Sequence, residues 1–152
     1  MASDVQRGVV EPEGRKCGCC GRYGLAIARV LMGLLFLVTG LNGFLRFLPE
    51  PKTMPEGAAA FAGALVKTGY MFPLIMGTQL IVGVLLLVNR FVPLALVLIA
   101  PVIVNIIAFH LFLAPAGIGP GVVVLVLEIY LVWKYRDAYR GLFAMRATPG
   151  AK

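Results

Sequence analysis

The sequence predicts an all-α integral membrane protein: a four-helix bundle with a short outer surface helix between the first and second spans. Hydrophobic residues make up 60% of the 152 positions and charged residues only 14%, far from the composition of a soluble domain. Residues Phe91–Leu113 contain no Asp, Glu, Lys or Arg, and as a helix they are about 34 Å long, enough to cross a bilayer core. Further apolar runs on both sides of this segment supply the other spans.

The two ends of the chain are polar. We expect residues 1–22 to form a disordered cytoplasmic tail, residues 23–145 the transmembrane domain, and residues 146–152 a second cytoplasmic tail. Cys17, Cys19 and Cys20 lie in the first tail, where a redox pair, half of a zinc site, membrane-proximal acylation and reduced cytosolic thiols all fit the pattern. Three thiols without a nearby histidine do not close a four-ligand zinc site within one chain, so no metal site is predicted.

The first span, about residues 23–47, carries a stripe of small residues. At 100° per residue, Gly33, Gly40 and Gly43 share one face with Arg29. Such a face lets another helix approach closely. Thr39, Asn42 and Arg46 lie together on the neighbouring face near the far end of this helix, which is rich in polar groups for a membrane segment.

The segment after the first span is too short to cross a membrane. A Pro-rich turn leads into about ten apolar residues, which predict a short helix at the outer surface that is capped by Gly69. Tyr70–Val88 is the second span, with Gln79 near its midpoint. Asn89 and Arg90 then form a tight turn, so the second and third spans should be antiparallel neighbours.

The last two spans hold the remaining buried polar groups. Phe91–Leu113, the third span, contains Asn105 and His110, and Pro101 should bend it. The fourth span, about Gly121–Tyr135, contains Glu128. Aromatic and basic residues then alternate in an interfacial belt that continues as a surface helix to about residue 145. The aromatic members of the belt are Trp133, Tyr135 and Tyr139.

The distribution of charge predicts an orientation. The net charge of +7 fits anionic lipid better than nucleic acid as a partner, because the basic residues cluster at the ends of the chain. The two terminal segments and the Arg90 turn carry ten basic residues, against three on the opposite side. Both termini should therefore be cytoplasmic.

Four segments resemble the DoxX-like family of small four-helix membrane proteins. The likeness covers about residues 25–143. It is carried by the stretches ARVLMGLLFLVTGLNGF, AAFAGALVKTGYMFPL, TQLIVGVLLLVNR and NIIAFHLFLAPAG. The resemblance implies four helices in a bacterial inner membrane. Some members of the family are associated with sulfur or disulfide redox chemistry and quinones, and others are escort or assembly proteins.

The resemblance extends to individual positions. Arg29 matches the family's arginine at the start of the first helix, and residues 40–42 match its glycine-containing turn of that helix. Two positions depart from the family pattern. Gly43 stands where relatives often have lysine, and Gln79 stands where they often have glutamate. Neither residue titrates near neutral pH, which argues against a mechanism that moves a proton through these positions.

Two functions follow from these features. The first is a redox-linked subunit that binds a quinone or a similar small apolar molecule in the outer half of the bundle and works with a membrane or redox partner protein. Its ligand-binding residues would be Asn42, Gln79, Asn105 and His110, which helix rise places between the midplane and the outer surface. The alternative is a non-catalytic module that assembles, escorts or stabilises a partner.

Two other classes of function are disfavoured. A thiol oxidoreductase needs cysteines beyond Cys20, and the chain has none. A proton-coupled transporter needs more than one histidine and one buried acid.

Arg29 and Glu128 each lie about six residues from the cytoplasmic end of their helices, so we expect a structural ion pair between them.

Overall fold

The computed structural model describes residues 18–49 and 54–139, and all regular secondary structure in these ranges is helical. The all-α prediction is confirmed. The helices are α1 Gly18–Leu45, α2 Glu56–Lys67, α3 Met71–Leu87, α4 Val92–Phe112 and α5 Ile118–Lys134, with 3₁₀ turns at Pro115–Gly117 and Arg136–Tyr139.

Two helices begin earlier than the sequence suggested. α1 starts at Gly18, so Cys19 and Cys20 lie in a helical turn inside the segment expected to be disordered, while Cys17 lies outside the described residues. α5 starts at Ile118 instead of Gly121. Pro120 permits this, because a proline in the first helical turn needs no partner for a backbone N–H. The surface helix expected to reach residue 145 is described only as far as residue 139.

Within residues 18–49 and 54–139, three helical segments are long and apolar enough to cross a membrane. They are Tyr23–Leu45, Val92–Phe112 and Pro115–Lys134. A fourth span is counted only when α2 and α3 are taken together across their 90° bend. α3 alone has 17 residues, about 26 Å of helix, which is at the lower limit for a span.

The corner between α2 and α3 is built by Thr68 and Gly69. The Thr68 hydroxyl accepts the Met71 N–H at 3.1 Å and so caps the start of α3. Gly69 has φ +76°, a left-handed conformation that glycine adopts without strain. As predicted, Gly69 ends α2, and the corner turns α2 across the axis of α3.

The four long helices form a closed ring in the order α1, α3, α4, α5, in which each helix contacts the next and α5 returns to α1. α1 and α3 make the most extensive contact. A Cβ atom on Gly83 would lie 2.6 Å from the Leu37 nitrogen, and one on Gly40 would lie 2.7 Å from the Leu80 nitrogen. The predicted close approach of a helix to the glycine stripe is therefore confirmed, and its partner is α3.

The hydrophobic core fills the end of the ring opposite α2 and the middle of the bundle. Phe36, Met32, Leu86, Leu96 and Ile99 are its largest fully buried side chains.

Tyr139 is also buried, and its hydroxyl donates to the Pro93 carbonyl at 3.1 Å. Tyr139 therefore ties the last 3₁₀ turn to the start of α4 and is not part of an exposed interfacial belt. Burial raises the pKa of Tyr139 to about 12, which keeps the hydroxyl protonated as a donor.

Candidate functional site

The four predicted ligand-binding residues line two clefts, formed by described residues, at the end of the bundle that α2 covers. The first, which we call the His110 cleft, lies between α2, α3 and α4 and has a volume of about 360 Å³. The second, the Arg46 cleft, lies between α1, α2 and α3 and has a volume of about 710 Å³. Both fall in the range of about 300–1,000 Å³ that is usual for small-molecule sites.

The His110 cleft is mainly apolar, with aromatic side chains from two helices. Phe61 of α2 and Phe109 of α4 pack together with ring centroids 5.7 Å apart, and Phe109 packs against His110 at 5.3 Å. Gln79, Asn105 and His110 supply its polar side chains. Three of the four predicted ligand-binding residues therefore line one cleft.

His110 has an unusual environment for a polar group. Its Nδ1 atom is buried and has no hydrogen-bond partner among the described residues. A Cβ atom on Gly117 would lie 3.1 Å from Nε2, so the turn after α4 packs closely against the ring. A buried ring nitrogen without a partner costs free energy, on the order of 1–3 kcal/mol. Because this atom has almost no accessible surface, a molecule in the cleft reaches it only if the imidazole ring turns toward the cleft.

Gln79 and Asn105 lie closer to the middle of the bundle than His110 does. Asn105 is five residues before His110, about 7.5 Å along α4. Asn105 is exposed, whereas Gln79 is only 5% exposed. Polar groups thus occupy two levels of an otherwise apolar cleft.

Gln79 lines both clefts and is held by α1. The Thr39 hydroxyl donates to Gln79 Oε1 at 2.8 Å. The same hydroxyl lies 2.9 Å from the Leu35 carbonyl, and its single proton serves one of these acceptors at a time. The Gln79 amino group makes no hydrogen bond within the described residues and is therefore free to donate to a ligand.

Asn42 lines the Arg46 cleft and not the His110 cleft. Its Oδ1 atom accepts the Leu48 N–H at 2.7 Å, and its carbonyl accepts the Arg46 N–H at 2.8 Å. Asn42 therefore closes the C-terminus of α1. The four polar residues expected in one pocket line two adjacent clefts, which share Ala62, Phe72, Met76 and Gln79.

The predicted ion pair between Arg29 and Glu128 does not form. Arg29 donates to the Leu86 carbonyl of α3 at 3.2 Å. Both carboxyl oxygens of Glu128 are buried without a hydrogen-bond partner among the described residues. The glycine stripe explains the difference: Arg29 lies on the face of α1 that packs against α3, so it meets the carbonyl end of α3 and not α5.

The helix α2 contributes to both clefts, which the hydrophobic pattern of the sequence did not predict. Ala62 lines both, and Phe61 lines the His110 cleft. Phe61 is the only aromatic residue of this Ala- and Gly-rich helix. An isolated aromatic side chain in a helix of small residues was the available signal for a contact with α4.

Comparisons with known proteins leave the function to be argued from this geometry. No family model matches the chain, and no curated protein or solved structure matches it.

Proposed function

We propose that the chain is a multi-pass protein of the DoxX-like type, placed in a bacterial inner membrane, and that its His110 cleft binds a quinone or a similar small apolar molecule. The cleft supports this proposal because it combines apolar walls with an unpartnered, buried imidazole nitrogen. The protein would hold the ligand, and a separate membrane or redox partner would exchange electrons with it.

The membrane placement is supported by the outward faces of the helices. Large apolar side chains are strongly exposed on α1, α4 and α5, among them Leu31 at 53%, Val104 at 65% and Ile129 at 60%. Soluble monomers rarely expose continuous apolar surfaces of this kind. At the opposite end from α2, Lys134 and Arg136 lie 5.1 Å and 5.5 Å from the Trp133 ring, an arrangement typical of a membrane interface.

The orientation is tested by thiol labelling of two matched variants. We place the α2 end outside and the termini in the cytoplasm. In a background with Cys17, Cys19 and Cys20 changed to serine, a membrane-impermeant maleimide should label Ala116→Cys in intact cells and Ala138→Cys only after lysis. Both positions are exposed. Labelling with the opposite sidedness would overturn the topology.

The chemistry of the His110 cleft suits a ring with two carbonyl oxygens. The imidazole N–H can donate at one level of the cleft, and the amino groups of Gln79 and Asn105 can donate at the deeper level. Phe61 and Phe109 provide an apolar wall for the ring. Donors at both levels with apolar walls between them match an aromatic or quinonoid ligand better than a charged one.

The binding proposal predicts that His110→Ala loses the ligand. Organic extraction of the protein purified in mild detergent should yield a quinone, measured by mass spectrometry, and His110→Ala should retain at least tenfold less. A tenfold loss corresponds to about 1.4 kcal/mol, the size of one good hydrogen bond.

Thr78→Ala is the matched control for this experiment. Thr78 is next to Gln79, lines neither cleft, and its hydroxyl donates to the Leu74 carbonyl of its own helix. Retention should be unchanged in this variant. Equal retention in wild type and His110→Ala would refute the ligand-binding role of His110.

One observation favours the alternative of a non-catalytic assembly, escort or stabilising module. The Thr39 hydroxyl and the Gln79 side chain form a hydrogen bond between α1 and α3, as polar groups that only join helices would. Wild-type protein that carries no organic ligand and binds no added short-chain quinone would support this alternative.

A further inference from the structure

The Arg46 cleft has properties that the proposed function does not use. It is about twice as large as the His110 cleft, at about 710 Å³ against about 360 Å³. Arg46 and Asn42 lie at its α1 end, whereas Met54, Val66 and Phe72 contribute an apolar surface. No acidic side chain is among the described residues that line it.

Arg46 is held at this cleft by an uncommon backbone conformation. It has φ +48° directly after the end of α1, a region that non-glycine residues other than Asn and Asp rarely occupy. The two bonds made by Asn42 fix this turn. The guanidinium has no hydrogen bond or ion pair within the described residues. The positive charge of Arg46 interacts favourably with the negative, C-terminal end of the α1 dipole. That interaction does not require Arg46 to lie in a cleft or in a left-handed conformation.

The polar groups of the cleft act as hydrogen-bond donors. Arg46 has no acceptor atom. The side-chain oxygen of Asn42 already accepts the Leu48 N–H, and that of Gln79 lies 2.8 Å from the Thr39 hydroxyl. The amino groups of both amides are left to donate. A site that offers several unpartnered donors, one of them cationic, and no acidic side chain among the described residues that line it favours a ligand with acceptor oxygens and negative charge.

These donors occupy two depths. Thr39, which holds Gln79, lies three residues before Asn42, about 4.5 Å further from the end of α1. A glycerophospholipid presents its oxygens in the same order, with the phosphate at the surface and the ester carbonyls slightly deeper, followed by the acyl chains. A free fatty acid has a carboxylate and no second acceptor below it.

We infer that the Arg46 cleft is a binding site for an anionic glycerophospholipid. The phosphate lies against Arg46 and the Asn42 amino group, an ester carbonyl accepts from Gln79, and an acyl chain packs on the apolar residues between α1, α2 and α3. The inference rests on the membrane placement proposed above. The two clefts share Ala62, Phe72, Met76 and Gln79, but Arg46 lines one and His110 the other, so variants of these two residues test lipid binding and quinone binding separately.

The test compares phosphatidylglycerol with phosphatidylcholine in detergent-purified protein by native mass spectrometry. Wild type should bind phosphatidylglycerol at least tenfold more tightly than phosphatidylcholine. Arg46→Asn should reduce this preference to less than twofold, whereas Arg46→Lys should retain part of it. Asparagine tolerates a left-handed conformation better than arginine does, so loss of binding in Arg46→Asn cannot be assigned to a disrupted turn.

Two further variants separate the cleft from general surface attraction. Arg90→Asn removes an exposed positive charge at the opposite end of the bundle and should leave the preference unchanged. Gly63→Leu adds a side chain to the cleft at a position where a Cβ atom meets nothing within 4 Å, and it should weaken phosphatidylglycerol binding without unfolding the protein.

The inference is overturned if Arg46→Asn keeps the lipid preference, or if Arg90→Asn loses it to the same extent. Oleate that competes as well as phosphatidylglycerol would show that one acceptor level is enough, and would exclude the phospholipid assignment. Quinone retention measured in the same Arg46→Asn protein should match wild type. Its loss there would count against the independence of the two clefts, whereas its loss only in His110→Ala leaves the lipid site unaffected.

Discussion

Gly83→Ala should destabilise the bundle by about 1–3 kcal/mol, and Gly83→Leu should prevent its assembly. A Cβ atom at position 83 would lie 2.6 Å from the Leu37 nitrogen and 2.9 Å from the Gly33 carbonyl oxygen. Both are backbone atoms of α1, so no side-chain rotation relieves the clash, and α1 must move away from α3. Overpacking of this kind typically costs about 1–3 kcal/mol. The measurement is the midpoint of thermal unfolding in detergent.

Gly77→Ala is the matched control, because Gly77 lies in the same helix and a Cβ atom there meets nothing within 4 Å. It should be neutral, or stabilising by up to about 1 kcal/mol, since alanine is the better helix former. Equal losses in Gly77→Ala and Gly83→Ala would mean that the effect is general to α3 and that the close crossing with α1 does not support the fold.

The helices that the sequence predicted best are those with clear end signals. α3 and α4 begin and end within one residue of the predicted spans, because Gly69 precedes the first and the Asn89 turn separates the two. Asn89 has φ +56°, which asparagine tolerates. The start of α1 was missed because residues 18–22 show no hydrophobic periodicity. Once a helix exists, however, adding a turn is far easier than starting one.

The sequence predicted at which end of the bundle the candidate site lies, but not that the site is divided into two clefts. Counting helix rise correctly put Asn42, Gln79, Asn105 and His110 at one end of the bundle. The separation into two clefts depends on α2, whose direction is set by the corner at Thr68 and Gly69. A right angle between two helices arises from one left-handed residue and one side-chain bond, and the hydrophobic pattern of the sequence contains no information on that angle.

The sequence also did not predict which neighbours the buried acidic residue Glu128 would have. The depths of Arg29 and Glu128 along their helices suggested a pair, but depth does not determine which neighbour a side chain faces. Arg29 faces α3 and bonds to Leu86, while Glu128 is 6% exposed and its two oxygens have no hydrogen-bond partner among the residues that the structure describes. An unsatisfied buried polar group costs about 1–3 kcal/mol, and more if it is charged. Glu128 should therefore weaken the bundle as it stands.

Glu128→Met should accordingly raise the free energy of unfolding in detergent by about 1–3 kcal/mol, because methionine fills a similar volume without polar atoms. Glu128→Gln keeps an unsatisfied polar group of the same shape and should stay closer to wild type. Arg29→Met should lower stability through loss of the bond to Leu86. The double variant Arg29→Met, Glu128→Met should equal the sum of the single effects within about 0.5 kcal/mol, as expected for groups that do not interact. A coupling above 1 kcal/mol would show that the two side chains do pair, and a loss of stability in Glu128→Met would refute the destabilising role of Glu128.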